Sequence, residues 1–136
     1  MVELIIATHG EYADGILSTL HMVAGNEKTI ASFALMEGDD PSFFEERMRK
    51  RINDLIASSE SDGVLVLVDL LGGTPSNCMV RIMRDLGPEH VRCIAGLNFP
   101  MLVEAVFARE SKTLPELEAS CKEAAINGVI ALGDLF

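Results

Sequence analysis

Three short polar segments hold the residues of this sequence whose types and spacing could do chemistry. The first is Thr8-His9-Gly10, the second is residues 69–75 (DLLGGTP), and the third is residues 96–100 (GLNFP). Asp69 follows an almost wholly apolar run, where a carboxylate needs a hydrogen-bond donor or water. If the strands before His9 and Asp69 are neighbours, Asp69 accepts from Nδ1–H of His9, which fixes the ring tautomer and leaves the Nε2 lone pair outward. The pattern therefore predicts a positioned histidine.

The rest of the sequence indicates that this histidine is itself the nucleophile. No Gly-x-Ser-x-Gly elbow occurs, and no cysteine has a context typical of a reactive thiol. Histidine is therefore not expected to serve as a base for another residue. Asp69 is expected to stabilise the cation that forms when Nε2 of His9 attacks an electrophile, as the carboxylate does behind histidine in hydrolase triads.

The second segment predicts an anion site beside the histidine. Backbone N–H groups at Gly72 and Gly73 precede a helix start at Thr74-Pro75, where the helix dipole favours a phosphate. The hydroxyls expected to bind its oxygens are those of Thr8, Thr74 and Ser76, and the residues expected only near the site are Gly10 and Asn98. Together these features predict phosphoryl transfer through a phosphohistidine, a chemistry that requires no cofactor and no metal.

The elements that position these segments alternate between strands and helices. Apolar runs predict strands at 2–7, 30–35, 64–68, 91–95 and 129–132, with helical spacing between them and an added helix within 111–127. The run VLVLV at 64–68 has no polar residue for a solvated face, which indicates a central strand of a parallel sheet. We therefore predict a doubly wound, mostly parallel α/β sheet with helices on both faces. In such sheets ligands bind beyond the carboxyl ends of the strands, where all three segments fall.

Length, charge and cysteine content exclude several classes of protein. The 136 residues fit one domain, predicted to span 1–136. A net charge of −10 is the wrong sign for binding nucleic acid or an anionic membrane. No apolar run approaches the ~18 residues of a bilayer span, and the first residues lack the features of a secretory signal. The three cysteines form no CxxC pair, so neither a disulfide framework nor a zinc cluster is indicated. We therefore expect a cytoplasmic protein.

The same segments carry a resemblance to a known family. Thr8-His9-Gly10 with Ala13 and Gly15, residues 69–77 (DLLGGTPSN) and residues 96–102 (GLNFPML) occur in one order and at a specific spacing. In these features the chain resembles the enzyme IIA domain of the mannose family of the bacterial sugar phosphotransferase system. The resemblance extends over nearly the whole length.

The resemblance implies a phosphoryl carrier. The histidine matching His9 would take a phosphoryl group from the phosphocarrier protein HPr and pass it to a IIB component, which phosphorylates sugar entering through a membrane permease. The aspartate matching Asp69 would orient that histidine. The resemblance also implies a homodimer in which a last, antiparallel strand, here 129–132, is exchanged between subunits. Departures from the family's usual residues at Leu71, Ser76 and Phe99 bear on the partner and the sugar more than on the reaction.

Other functions stay open at this point. Within the resemblance, the phosphoryl donor subunit of a dihydroxyacetone kinase system uses a similar domain, although that donor is often a longer chain. From the residues alone, the glycine loop also fits a regulatory module that senses phosphate without a covalent step. A flavin or nucleotide binder is less favoured, because one Tyr and no Trp leave little to stack against a ring.

Overall fold

A four-stranded parallel sheet forms the centre of the molecule. The computed structural model describes residues 1–136 and contains strands β1 (Glu3–His9), β2 (Ala31–Leu35), β3 (Val64–Val68) and β4 (Val91–Ala95). The strand order is β2-β1-β3-β4, and all three pairings are parallel. The predicted doubly wound α/β fold is confirmed, and β1 and β3 are direct neighbours.

Five helices connect and cover the strands. They are α1 (Tyr12–Ala24), α2 (Pro41–Ile56), α3 (Thr74–Leu86), α4 (Phe99–Ala108) and α5 (Leu114–Asn127). Several begin where a cap and a proline meet: Asp40 accepts from the Ser42 amide just before α2, and Thr113 forms a capping box with Glu116 at α5. None of the helices has the combined length and apolar character needed to cross a bilayer.

The hydrophobic core lies in two layers, one on each face of the sheet. Side chains along β1 alternate between these layers, as the period of a strand requires. Leu4 and Ile6 pack in the layer formed with α1, α4 and α5, whereas Ile5 and Ala7 pack in the layer formed with α2 and α3. The VLVLV strand β3 is buried at every position, as predicted for a central parallel strand.

The predicted strand at 129–132 is wrong for the single chain. Residues 129–131 have no regular secondary structure, and Leu132–Leu135 form a short 3-10 helix. A strand needs a neighbour for its backbone N–H and C=O groups, and here the chain leaves the body of the molecule with Val129 77% and Leu132 72% exposed. The sheet accordingly contains no antiparallel strand.

Candidate functional site

The site lies where the chain connections diverge to opposite faces of the sheet. β1 continues into α1 on one face, while β3 continues into α3 on the other. Ala7 pairs with Val68, so the residues that follow, His9 on β1 and Asp69 after β3, emerge at the same carboxyl edge. This is the position at which open parallel sheets bind ligands.

Asp69 holds His9 through both the ring and the backbone. Its Oδ2 atom lies 2.9 Å from His9 Nδ1 and accepts from the His9 backbone N–H at 3.0 Å. Its Oδ1 atom accepts from the Leu70 N–H at 3.0 Å. Because a carboxylate only accepts, Nδ1 is the ring nitrogen that carries a proton, and in the neutral imidazole the lone pair is then on Nε2. The His9 side chain is 45% exposed and that of Asp69 only 13%, so the imidazole is open to solvent while the carboxylate that holds it is shielded.

Gly73 closes one face of the His9 ring. A Cβ atom added at Gly73 would overlap His9 Cε1 and lie 3.0 Å from His9 Nε2. The backbone of Gly73 is extended, with φ −75° and ψ 169°, a conformation open to any residue. Glycine is therefore required at this position because the imidazole leaves no space for a side chain, and not because of the backbone conformation.

The start of α3 leaves two amides open. Within the loop, Gly72 N–H donates to Ser76 Oγ at 3.4 Å, and Gly73 N–H donates to the Leu70 carbonyl at 3.2 Å. The amides of Thr74 and Ser76 have no acceptor, and Pro75 has no N–H. The predicted anion site therefore presents different donors from those expected at Gly72 and Gly73. In the sequence, the Thr74-Pro75 helix start is the feature that indicates these open amides, because the first N–H groups of a helix have no acceptor within the helix.

The other hydroxyls of the predicted site differ in position. Ser76 is only 5% exposed, and its oxygen already accepts from Gly72. Thr8 is fully buried on the α1 side of the sheet, where its Oγ1 accepts from the Ala13 N–H at 2.9 Å. Thr8 and His9 are successive residues of a strand, so their side chains point to opposite faces. The structure thus brings His9, Asp69 and Gly73 together, places Thr74 directly after Gly73, and leaves Thr8 apart.

The two residues predicted to lie near the site have structural contacts. Gly10 adopts a left-handed conformation with φ 54°, and its N–H donates to the Leu35 carbonyl at 2.8 Å. Asn98 caps α4 by accepting from the Met101 N–H at 3.0 Å, and its Nδ2 donates to the Ala125 carbonyl at 3.0 Å. Both polar ends of the Asn98 side chain are therefore engaged with helices.

Sequence reasoning missed Tyr12, which follows the histidine segment. Its hydroxyl donates to the Leu97 carbonyl at 2.7 Å, and its side chain is 43% exposed. The bond joins the start of α1 to the third polar segment. The only signal in the sequence was its place as the single tyrosine, two residues after Gly10.

Comparison with known proteins identifies the family of this chain. The family model described as "PTS system fructose IIA component" matches residues 3–122. The chain belongs to this family. The match includes the histidine segment, the glycine loop and the third polar segment, the features that carried the resemblance in the sequence.

Individual relatives support the same assignment. The chain is 35% identical over 132 residues to the "PTS system mannose-specific EIIAB component" of Escherichia coli (strain K12), covering 96% of this chain but 39% of that relative. It therefore spans well under half the length of that relative. It is 27% identical to the "PTS system fructose-specific EIIA component" of Bacillus subtilis (strain 168), covering 86% of this chain and 77% of that protein.

The fold of this IIA family member matches solved structures over nearly its whole length. A phosphotransferase system component EIIA from Streptococcus agalactiae superposes with a TM-score of 0.88 at 27% identity, covering 98% of this chain and 99% of that one. The PTS IIA protein associated with the fucose utilization operon of Streptococcus pneumoniae gives a TM-score of 0.85 at 28% identity, covering 99% and 98%.

Proposed function

We propose that this chain is the phosphoryl carrier of a sugar phosphotransferase system. Nε2 of His9 attacks the phosphorus of phospho-HPr, the donor's N–P bond breaks, and a new N–P bond forms at His9. In the second step a nucleophile of a IIB component takes the phosphoryl group and His9 regains its lone pair. The observation that carries the proposal is the Nδ1–Asp69 hydrogen bond of 2.9 Å, which leaves Nε2 free.

The surroundings of His9 suit this transfer. As Nε2 bonds to phosphorus the ring becomes cationic, and the adjacent Asp69 carboxylate stabilises that charge. The unpaired amides of Thr74 and Ser76 can donate to phosphoryl oxygens at the positive end of α3, and the Thr74 hydroxyl can add a further bond. Catalysis in this scheme comes from positioning and electrostatics.

The partners follow from the same proposal. The net charge of −10 favours a donor whose docking face is basic. The names of the relatives include mannose, fructose and sorbose systems, so the IIB component and the permease would belong to a system for such a sugar. Residues 1–136 would act as one IIA domain in the cytoplasm.

We also propose a homodimer built on the edge of β4. This strand lies at one end of the sheet, so one side of its backbone has no neighbouring strand. Beside it is a groove of about 330 Å³, whose apolar lining includes Ile94, Met101 and Ile126. The exposed segment 129–132 of a second subunit could add there as the antiparallel strand that a single chain does not form. Light scattering of the full chain and of Ile130→Asp tests this; a dimer that persists in the variant would contradict it.

A phosphorylation assay tests the carrier function. The protein is mixed with phosphoenolpyruvate, the general phosphotransferase enzyme and HPr, and its mass is followed at neutral pH. We expect a gain of one phosphoryl group that is labile in acid and absent in His9→Ala. His21→Ala, which removes an exposed histidine of α1, is the matched control and should label normally. Normal labelling of His9→Ala would refute the assignment, and no labelling of the wild type would favour the phosphate-sensing module.

A further inference from the structure

The start of helix α1 is capped from an unusual position. The residue at its N-cap, Glu11, makes no side-chain hydrogen bond to the helix. The first-turn amide of Ala13 donates instead to Thr8 Oγ1 at 2.9 Å, across the intervening turn. Thr8 and Ala13 are both 0% exposed, so no water can replace this bond. A buried amide that loses its acceptor costs about 1–3 kcal/mol, which gives the bond the strength to fix the turn.

The turn that this bond spans contains His9. Other hydrogen bonds of this turn run outward: His9 N–H donates to Asp69, Gly10 N–H donates to the Leu35 carbonyl, and the Tyr12 hydroxyl donates to the Leu97 carbonyl. The Thr8–Ala13 bond is the tie that joins the end of β1 to the start of α1 directly. We propose that Thr8 is a positioning residue for His9, holding the turn so that the imidazole meets Asp69 on one side and Gly73 on the other. This gives Thr8 a role in orienting the nucleophile in place of binding phosphate.

A second bond to the same helix turn provides an internal comparison. Ser32 Oγ donates to Asp14 Oδ1 at 2.9 Å, which ties α1 to β2. That bond is exposed, so water can take the place of either partner and its loss should matter little. If position alone were important, both bonds would hold the turn. Burial distinguishes them and predicts that, of these two bonds, only the one to Thr8 affects the orientation of His9.

Three variants test the proposal in the full chain. Thr8→Val keeps the shape and removes the acceptor, Thr8→Ser restores an oxygen, and Ser32→Ala is the control. In nitrogen NMR spectra of the unphosphorylated protein we expect wild type, Thr8→Ser and Ser32→Ala to show one imidazole tautomer protonated at Nδ1. Thr8→Val should show averaging of the two ring nitrogens, because the Asp69 contact is no longer held.

The transfer reaction gives a second readout, which rests on the proposed carrier function. Misplacing a reacting group by about 1 Å can cost roughly 100-fold in rate, so we expect Thr8→Val to lower kcat at least about tenfold while KM for phospho-HPr stays within about twofold. Thr8→Ser should recover most of that rate. If the wild type is not phosphorylated, the proposed function fails, but the tautomer measurement still tests Thr8.

Two results would overturn the role of Thr8. One is a wild-type imidazole spectrum and transfer rate in folded Thr8→Val. The other needs no variant and so applies even if Thr8→Val does not fold: hydrogen exchange in the wild type. The Ala13 amide should exchange at least about 100-fold more slowly than the unpaired Thr74 amide, and equal rates would show that the bond is not kept in solution.

Discussion

The close approach of Gly73 to the His9 imidazole makes Gly73→Ala an informative change. The added Cβ would overlap His9 Cε1, whereas its separation of 3.4 Å from the Leu70 carbonyl oxygen is an ordinary contact, so the clash is with the ring. The backbone of Gly73 suits alanine, which means that any effect arises from contact with the ring. The ring must rotate away from Asp69, or the loop must move and carry the open amides of α3 with it.

The magnitude follows from the bond that the ring would lose. A hydrogen bond to a charged group contributes about 1.5–3 kcal/mol. If that interaction is absent when His9 attacks phosphorus, the rate of phosphoryl transfer falls by roughly 10- to 150-fold, at about 1.4 kcal/mol for each factor of ten. The fold should persist, because the site edge is partly exposed and either the ring or the loop can shift.

The assay is the rate of phosphoryl transfer from phospho-HPr. The imidazole NMR spectrum and the thermal unfolding of each variant are recorded alongside it. Gly133→Ala is the matched control, since its new Cβ meets no atom within 4 Å and lies in the C-terminal 3-10 helix. The control should transfer at the wild-type rate and change stability by no more than about 0.5 kcal/mol. A wild-type rate in Gly73→Ala, with an unchanged His9 spectrum, would refute the steric argument.

Three further predictions concern other groups. Asp69→Asn should fold normally but transfer at least about 100-fold more slowly in the same assay, because an amide does not fix the His9 tautomer or balance the ring charge. Burial tends to raise the pKa of Glu45, but hydrogen bonds from two arginines outweigh it and leave that pKa lowered; its stabilising effect is therefore present at neutral pH and lost in acid. Urea unfolding should show Glu45→Gln less stable by about 1 kcal/mol at pH 7, with the difference shrinking as the pH falls below about 4. Burial raises the pKa of Cys93 and of Cys121 to about 12, so neither thiol should react with a thiol reagent at pH 8 until the protein is unfolded.

Much of the sheet could be predicted because its strands carry strong local patterns. The apolar run at Val64–Val68 predicted a central strand; that β1 lies beside it was only a condition of the sequence argument, and the structure shows that pairing. That adjacency is what joined His9 to Asp69 across sixty positions of sequence. The segment 129–132 has a similar apolar character but no neighbour in the single chain, and local pattern alone carries no information about whether a partner strand is available.

The details of the anion site were harder to predict. The sequence indicated that amides at the glycine loop would face the histidine, but which amides are free depends on bonds that the loop makes to itself. Ser76 takes up the Gly72 amide and Leu70 takes up that of Gly73, so the open donors move to the first helical residues. Such hydrogen bonds within a loop depend on backbone angles that residue types do not determine.

The alternation of side chains along β1 places its last two residues, Thr8 and His9, on opposite faces of the sheet. Leu4, Ile6 and Thr8 share the face packed against α1, so a hydroxyl at Thr8 meets the start of that helix. His9 lies on the opposite face and meets the loop before α3. A shift of one residue in the register of β1 would exchange these roles, burying the imidazole and exposing the hydroxyl. The apolar face of the strand therefore determines which of two adjacent polar residues faces Asp69 and Gly73.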